Sequence, residues 1–239
     1  KMRKLFRILT VPLVAVLVAC GGGGGSSGTT NGGSSGGGTG ATAAKVVEVG
    51  ASATSLRSAD TDGITISAMV KDAANNAVTG QAVSFVASSG VLRSVASVTG
   101  ADGRATALLT AGNDRSNRII TVTVKAGSVE GNVVVPVDGT MLSVAGSSSL
   151  LLGASTTYAV TLKDSGGNAI AALPITVKSA LGNTVTPAQS TTDNAGATSF
   201  TYVASRSGDD VITVTGAGVV QTQTVNVSSI DFAFTAPLA

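Results

Sequence analysis

A unit of about 92 residues occurs twice in this sequence, and this internal repeat constrains the fold more than any other feature. The segment KDAANNAV at 71–78 matches KDSGGNAI at 163–170. Three further pairs match at the same spacing or one residue from it: VSF at 83–85 with ITV at 175–177, TGADGRA at 99–105 with TDNAGAT at 192–198, and ITVT at 120–123 with ITVT at 212–215. The repeat favours two domains of the same fold over one large domain.

Short runs in which apolar and polar residues alternate fill both units. One run places Ile64, Ile66, Ala68 and Val70 on one face of a strand, and the segments 120–124, 211–215 and 222–227 alternate in the same way. We predict turns at Asp62-Gly63, Asp102-Gly103 and Asp138-Gly139, because glycine tolerates a positive φ and aspartate bonds to its own backbone. Beyond residue 44, no stretch of ten or more residues shows a convincing helical period. The sequence therefore predicts an all-β protein.

The order of these motifs resembles the bacterial Ig-like group 1 domains, the repeats that form the stalks of intimin and invasin. The resemblance implies two tandem immunoglobulin-like β-sandwiches, at 45–137 and 138–230, and the unit length suits that fold. It also implies a stalk-like role. Adhesion by intimin and invasin belongs to a distal lectin-like tip and does not carry over with the fold. Residues 231–239 are either the opening strand of a third unit or a strand that closes the second sandwich.

The first 19 residues read as a secretory signal peptide. A basic stretch ends at Arg7 and is followed by about twelve mostly apolar residues, too few for a membrane-spanning helix. Leu17, Val18 and Ala19 before Cys20 resemble the lipobox of bacterial lipoproteins, which implies cleavage before Cys20 and acylation of its thiol and new amino group. The alternatives are an ordinary cleavage site that releases a soluble protein, or a small buried cysteine.

The glycine that follows Cys20 resembles the pattern for sorting to the outer membrane of a Gram-negative host. We therefore expect a cell-envelope lipoprotein whose modules are surface-exposed or periplasmic. Residues 20–44 are almost entirely Gly, Ser, Thr and Ala, so we expect the acylated cysteine to be followed by a flexible tether. A phosphate-binding loop does not fit, since no Lys-Ser/Thr follows the glycines.

Composition excludes several classes of function. The chain has no His and one Cys, which removes the commonest general base, intramolecular disulfides and Cys-based metal sites. Four of the fifteen basic residues lie in the first seven positions, and without them eleven basic residues face thirteen acidic ones, a net charge of −2. No nucleic-acid footprint is expected. The aromatic residues Phe85, Tyr158, Phe200 and Tyr202 lie in strand runs and are expected to fill the sandwiches.

Asp60, Asp62 and Asp138 are the candidate Ca²⁺ ligands. Asp-x-Asp-Gly at 60–63 resembles the start of a calcium loop, but position 71, where a later acidic ligand is needed, is Lys. Asx turns explain these acidic positions equally well, as they do the repeated Asp72 and Asp164 and the adjacent Asp209 and Asp210. No cofactor is expected apart from the lipid on Cys20 and this possible ion.

We therefore expect a non-enzymatic lipoprotein that presents Ig-like modules as a stalk or spacer for surface structure or adhesion. One alternative is a binding module that recognises a protein or glycan through loops at one sandwich end. Another is the N-terminal part of a larger adhesin. Catalysis by carboxylates is the third class; it lacks the facing glutamates and aromatic platform that glycosidase chemistry uses.

Overall fold

The structure, a computed structural model, describes residues 43–229, and all of its regular elements are β-strands. The first sandwich consists of β1 (Val46–Ala51), β2 (Leu56–Arg57), β3 (Ile64–Lys71), β4 (Ser84–Ala87), β5 (Val91–Arg93), β6 (Arg104–Thr110), β7 (Arg118–Ala126) and β8 (Val129–Asp138). The second consists of β9 (Met141–Ala145), β10 (Ser149–Leu151), β11 (Ser155–Lys163), β12 (Pro174–Ser179), β13 (Thr184–Thr186), β14 (Gln189–Thr191), β15 (Ala197–Val203), β16 (Gly208–Gly216) and β17 (Val219–Ser228).

Each repeat forms two packed sheets whose strands follow a common order, to which the second repeat adds one edge strand, β14. In the first sandwich, the sheet β1-β3-β6-β5 faces the sheet β2-β8-β7-β4. In the second, β9-β11-β15-β13 faces β10-β17-β16-β12-β14. The pairs β2–β8 and β10–β17 are parallel, and all other neighbours are antiparallel. The all-β prediction with two immunoglobulin-like sandwiches is confirmed.

Alternation and turn chemistry explain the strands locally. Along β3, every second side chain from Ile64 to Val70 is buried, as the period of two predicts. Gly63 has φ +80°, and a Cβ there would lie 2.5 Å from the carbonyl oxygen of Leu109, so this turn requires glycine. Gly103 and Gly139 also have positive φ, as expected for the two other Asp-Gly turns.

The sheet register corrects one part of the repeat alignment. Phe85 pairs with Val124, and its counterpart Val177 pairs with Val214, so β7 and β16 correspond with an offset of 90 residues. The sequence match between ITVT at 120–123 and at 212–215 is therefore displaced by two residues, which keeps the same faces inward because the strand period is two. The structural counterpart of Ile120 is Asp210.

The two cores are built from different side chains. The core of the first sandwich is aliphatic and contains Leu56, Ile66, Leu109, Ile120 and Val122, all fully buried. In the second, the ring of Tyr158 stacks on Phe200 at 5.1 Å and meets Tyr202 edge-on at 6.1 Å. The expectation that aromatic residues fill both sandwiches is right for the second. In the first, Phe85 is only half-buried.

Several sequence predictions lie outside the described residues. They are the signal peptide at 1–19 with Leu17, Val18 and Ala19, the lipid attachment site Cys20, the tether at 20–44 apart from its last two residues, and the segment 231–239. Within residues 43–229, no helix has the length and apolar character needed to cross a bilayer.

Candidate functional site

The two sandwiches meet end to end, within one compact unit of the chain, at a junction made of polar groups. We call the surface that the first sandwich contributes the acceptor pole; it consists of Ser58, Ala59, Arg115 and Asn117. We call the surface that the second contributes the plug pole; it consists of Thr140, the turn at 164–168 and the hairpin residues Ala217 and Gly218.

The turn at 164–168 explains the repeated Lys-Asp-x-x-x-Asn motif. Asp164 Oδ1 accepts hydrogen bonds from the backbone N–H groups of Gly166 and Asn168, both at 2.9 Å, and from the Asn168 side chain. Asp72 closes the matching turn in the first sandwich. Burial acts to raise the pKa of Asp164, but the hydrogen bonds from Asn168 and Gly166 and the charge of Arg115 outweigh it, so the pKa is lowered. The Asx-turn interpretation therefore holds for both aspartates.

Two serines form a reciprocal pair across the junction. The backbone N–H of Ala59 donates to Ser165 Oγ at 2.8 Å, and the backbone N–H of Ser165 donates to Ser58 Oγ at 2.9 Å. Ser58 is fully buried. Because each serine accepts a backbone donor of the other sandwich, loss of either hydroxyl leaves a backbone N–H of the opposite sandwich without its acceptor.

Arg115 links the acceptor pole to the turn of the plug pole. Its Nη1 donates to the carbonyl oxygen of Ser58 at 3.1 Å and lies 3.6 Å from Asp164 Oδ2. The Asp164 side chain is 5% exposed, so the ion pair is shielded from solvent on the carboxylate side.

Asn117 completes the junction with both backbone and side-chain bonds. Its backbone N–H donates to the carbonyl oxygen of Ala217 at 2.9 Å. Its side chain donates to the carbonyl oxygen of Thr140 at 3.2 Å and accepts from the Thr140 backbone N–H at 3.0 Å. The Thr140 hydroxyl donates to the carbonyl oxygen of Arg115. This set resembles strand pairing, since backbone groups of one domain are satisfied by the other.

The hairpin of the plug pole has an unusual backbone at the point of contact. Ala217 has φ +51° and Gly218 has φ +72°. A non-glycine residue in this region costs about 1–2 kcal/mol. A Cβ at Gly218 would overlap the carbonyl oxygen of Asn117. Ala217, whose backbone is strained, and Gly218, which has no side chain, therefore lie where the backbones of the two sandwiches approach closely.

The calcium candidates do not converge. Asp60 Oδ1 accepts from the backbone N–H groups of Asp62 and Gly63 in its own turn, and Asp60 lines a cleft of about 260 Å³ together with Arg93 and Arg115. Asp138 Oδ1 lies 3.9 Å from a guanidinium nitrogen of Arg57, is buried and accepts no hydrogen bond. Within residues 43–229, no three acidic, histidine or cysteine side chains gather as metal ligands would.

Calcium binding at these three aspartates stays a prediction. A chelator that leaves the melting temperature unchanged would argue against a structural ion.

A second polar site lies at the far end of the second sandwich, around the fully buried carboxylate of Asp210. Asp210 accepts hydrogen bonds from Ser179 Oγ at 2.5 Å, from the backbone N–H of Leu181 at 2.9 Å, from Asn183 Nδ2 at 2.9 Å and from Tyr202 Oη at 2.8 Å. Burial acts to raise the pKa of Asp210, but these four bonds lower it below its ordinary value.

Asn183 connects this network to the neighbouring loop. Its side-chain oxygen accepts from the backbone N–H groups of Ser205 and Arg206 at 2.9 and 2.7 Å, while its nitrogen donates to Tyr202 and Asp210. The loops 180–183 and 204–207 are therefore fixed to each other and to the core. We call this group of four side chains the end network; it consists of Ser179, Asn183, Tyr202 and Asp210.

Sequence reasoning missed both polar sites. One signal was available for the end network: Asp210 continues the inward alternation of Ile212 and Val214, which places a carboxylate in a core position. No comparable signal exists for Ser58 and Ser165, which are 107 residues apart. The motif around Asp164 was recognised, but only as a turn.

These sheets and poles define a class of protein: tandem immunoglobulin-like β-sandwiches joined end to end. The family model described as "Bacterial Ig-like domain (group 1)" matches residues 47–137, the span of the first sandwich. No curated protein matches this sequence.

Among solved structures, the chain is similar to the Yersinia pseudotuberculosis adhesin InvE, with 17% identity and a TM-score of 0.52 over 80% of this chain and 62% of that one. It therefore spans less than two thirds of that adhesin chain. InvD of the same organism is 24% identical, with a TM-score of 0.39 over 81% of this chain and 60% of that one. Invasin, described as a bacterial integrin-binding protein, is 18% identical, with a TM-score of 0.40 over 77% and 40%. At these identities the likeness concerns the fold alone.

Proposed function

We propose that this chain is a non-enzymatic cell-envelope spacer that presents two firmly joined Ig-like modules. The junction carries this proposal. Backbone donors and acceptors of both sandwiches are satisfied across it, and a shielded ion pair joins Arg115 to Asp164. Domains on a linker move relative to each other by default, so a junction of this kind serves a role in which reach and direction matter.

The anchoring part of the proposal rests on residues 17–20. Leu17, Val18 and Ala19 before Cys20 support lipid attachment, and several acyl chains anchor a protein far more firmly than one. The glycine-rich segment after Cys20 supports a tether between membrane and modules. Surface structure or adhesion are the roles that such a spacer serves.

Two experiments test the anchored spacer. Metabolic labelling with a palmitate analogue should mark the natural chain but not the Cys20→Ser variant, and equal labelling of both contradicts lipid attachment. Protease treatment of intact cells then distinguishes the two locations, because surface-exposed sandwiches are digested and periplasmic ones are protected.

The rigidity of the spacer is tested separately. Spin labels at Ser84→Cys and Thr224→Cys, two exposed positions in different sandwiches, in a Cys20→Ser chain should give one narrow distance distribution. A broad distribution in this chain contradicts the spacer.

The end network favours a second candidate function, recognition of a protein or glycan by the far end of the second sandwich. A buried carboxylate with four donors costs more to desolvate than an apolar core, and here it fixes the loops 180–183 and 204–207. Loops fixed before binding lose less entropy on association. Amide chemical-shift changes in residues 180–183 and 204–207 on titration with a panel of glycans would support this role. Changes elsewhere, or none, count against it.

A further inference from the structure

Within residues 43–229 the two sandwiches have four poles. Two are joined to each other, and the other two, here called the free poles, contact no other domain among these residues. Each sandwich has an N-terminal pole, formed by its Asp turn and its last hairpin, and a C-terminal pole at the opposite end. The acceptor pole is the C-terminal pole of the first sandwich, and the plug pole is the N-terminal pole of the second. Because the sheets correspond strand by strand, each free pole can be compared with its joined counterpart, residue by residue.

The free C-terminal pole of the second sandwich lacks the features of the acceptor pole. The loop 111–117, between β6 and β7, has seven residues, whereas its counterpart 204–207, between β15 and β16, has four. Since Arg118 corresponds to Gly208 in the sheet register, Ser205 and Ser207 stand at the positions of Arg115 and Asn117. The parallel pairs Leu56–Val137 and Leu150–Val227 align β2 with β10, which places Leu152 at the position of Ser58. An apolar side chain there provides no acceptor for a backbone N–H of another domain.

The free N-terminal pole of the first sandwich lacks the features of the plug pole. Its Asp turn closes in the same way, but Ala73 follows Asp72 where Ser165 follows Asp164. The pairs Val46–Lys71 and Met141–Lys163 align β1 with β9, which places Lys45 at the position of Thr140.

The last hairpin differs as well. Ser128 stands where the second sandwich has Gly218, the residue whose Cβ would overlap the Asn117 carbonyl. At the three compared positions the plug pole thus has two hydroxyl residues and a glycine, Thr140, Ser165 and Gly218. The free N-terminal pole has Lys45, Ala73 and Ser128 there.

We propose that the junction is a pairing code that fixes which sandwich can follow which. The acceptor pole takes an N-terminal pole that has Ser after the turn Asp, Thr before its first strand and Gly as the second hairpin residue. A copy of the first sandwich is rejected by its Ser128 and Lys45, and a copy of the second cannot follow the second because the receiving loop is short. Matching contacts and rejecting ones together give specificity.

This inference deepens the proposed function, since an order-specific joint presupposes a rigid one. The partner that fits the acceptor pole is an Ig-like domain with the plug sequence, on this chain or on another one. A pole without that sequence, including the free N-terminal pole of this chain, does not fit. Tandem copies of one domain would lack this asymmetry.

The test replaces residues of the plug pole with those that stand at the same positions of the free N-terminal pole. In the full Cys20→Ser chain labelled at Ser84→Cys and Thr224→Cys, the substitutions Thr140→Lys, Ser165→Ala and Gly218→Ser give the plug pole the residues of the first sandwich. We expect the distance distribution to broaden by about twofold, as for domains on a free linker. Gly218→Ser alone should produce most of this change, because it places a Cβ on the Asn117 carbonyl.

The matched control makes the reverse exchange at the free pole. Lys45→Thr, Ala73→Ser and Ser128→Gly should leave the distance distribution unchanged, since these residues contact no second domain among residues 43–229. Tyrosine fluorescence and hydrogen exchange of both sandwiches verify that each variant is folded, and the single Gly218→Ser chain replaces the triple variant if that one is not.

The outcomes separate the two proposals. If the spin-label distance distribution is narrow in the unsubstituted chain and equally narrow in a folded plug-pole variant, the pairing code is overturned. The spacer proposal then remains intact. A broad distribution already in the unsubstituted chain overturns the spacer and the code with it. Broadening in the control variant to the same extent as in the plug-pole variant also overturns the code.

Discussion

The equivalent end of the core is aliphatic in the first sandwich and contains aromatic rings and a buried carboxylate in the second. Ile66, Leu109 and Ile120 form an aliphatic core at the end of the first sandwich that faces the junction. The corresponding residues of the second are Tyr158, Tyr202 and Asp210, which form stacked rings and the end network. At this end the first sandwich bonds outward to the second through Arg115 and Asn117, and it also holds its own loop 111–117 through Arg118. The corresponding end of the second sandwich directs its polar bonds inward, to its own loops.

Equivalent ends of the same fold therefore differ in role: one joins another domain, and the other encloses the end network. An aliphatic core needs no hydrogen-bond partners, so the loop 111–117 can turn its polar groups towards the second sandwich. At the far end of the second sandwich, Asp210 and Asn183 bond to the loops 180–183 and 204–207 and hold them in place. Both ends have internal bonds, and among residues 43–229 only the end with Arg115 and Asn117 also bonds to another domain.

The largest expected effect on stability comes from removing a ring of the aromatic stack in the second sandwich. Tyr158→Ala removes a fully buried ring that stacks on Phe200 and should lower the free energy of unfolding of the second sandwich by about 4 kcal/mol. Ile66→Ala, at the corresponding position, should destabilise the first sandwich by about 3 kcal/mol instead. Both tyrosines of the chain lie in the second sandwich, so tyrosine fluorescence reports its unfolding, and hydrogen exchange reports the first. A loss below about 1 kcal/mol for Tyr158→Ala would mean that the stack contributes little.

Removing the buried carboxylate should have the next largest effect. Asp210→Ala leaves four donors without their acceptor and should cost the second sandwich about 3 kcal/mol. The neighbouring Asp209 is exposed and accepts only from Asn226, at 2.7 Å, so Asp209→Ala should change stability by less than about 0.5 kcal/mol. Denaturant unfolding followed by tyrosine fluorescence measures both. Equal effects at 209 and 210 would show that the network does not stabilise this end.

The sequence predicts the strands and faces but not the polar sites, for a physical reason. Periodicity and Asp-Gly turns are local, so β3 and the turn at Gly63 can be identified from a few neighbouring residues. The end network brings together Ser179, Asn183 and Asp210 from different strands and loops, and it forms only when the sheets pack. The sequence repeat also aligned β7 with β16 incorrectly, because a shift of two residues preserves the alternation of apolar and polar residues.

The Tyr202 hydroxyl tests a single link of the network. Tyr202→Phe keeps the ring but removes a hydroxyl that donates to Asp210 at 2.8 Å and accepts from Asn183 at 2.6 Å. We expect a loss of about 1.5 kcal/mol in the second sandwich, read from the fluorescence of the remaining Tyr158. The first sandwich should be unchanged by hydrogen exchange. A neutral result would indicate that water replaces the hydroxyl and that the network is less enclosed than its burial suggests.

Among these tests, lowering the pH should have the smallest effect on the stability that the end network gives the second sandwich. The pKa of Asp210 is lowered in the folded chain because its hydrogen bonds outweigh burial. Its stabilising contribution is therefore complete above the ordinary aspartate pKa, near 4, and is lost as the pH falls through the lower folded value. Between pH 5 and 3 we expect the melting temperature of the second sandwich to fall, and to fall less in Asp210→Asn. Asp72 also has a lowered pKa, through its bonds with Asn76, so the first sandwich loses stability in acid as well. The informative quantity is thus the difference that Asp210→Asn makes to the second sandwich alone, and an identical acid response in both chains would exclude Asp210 as its source.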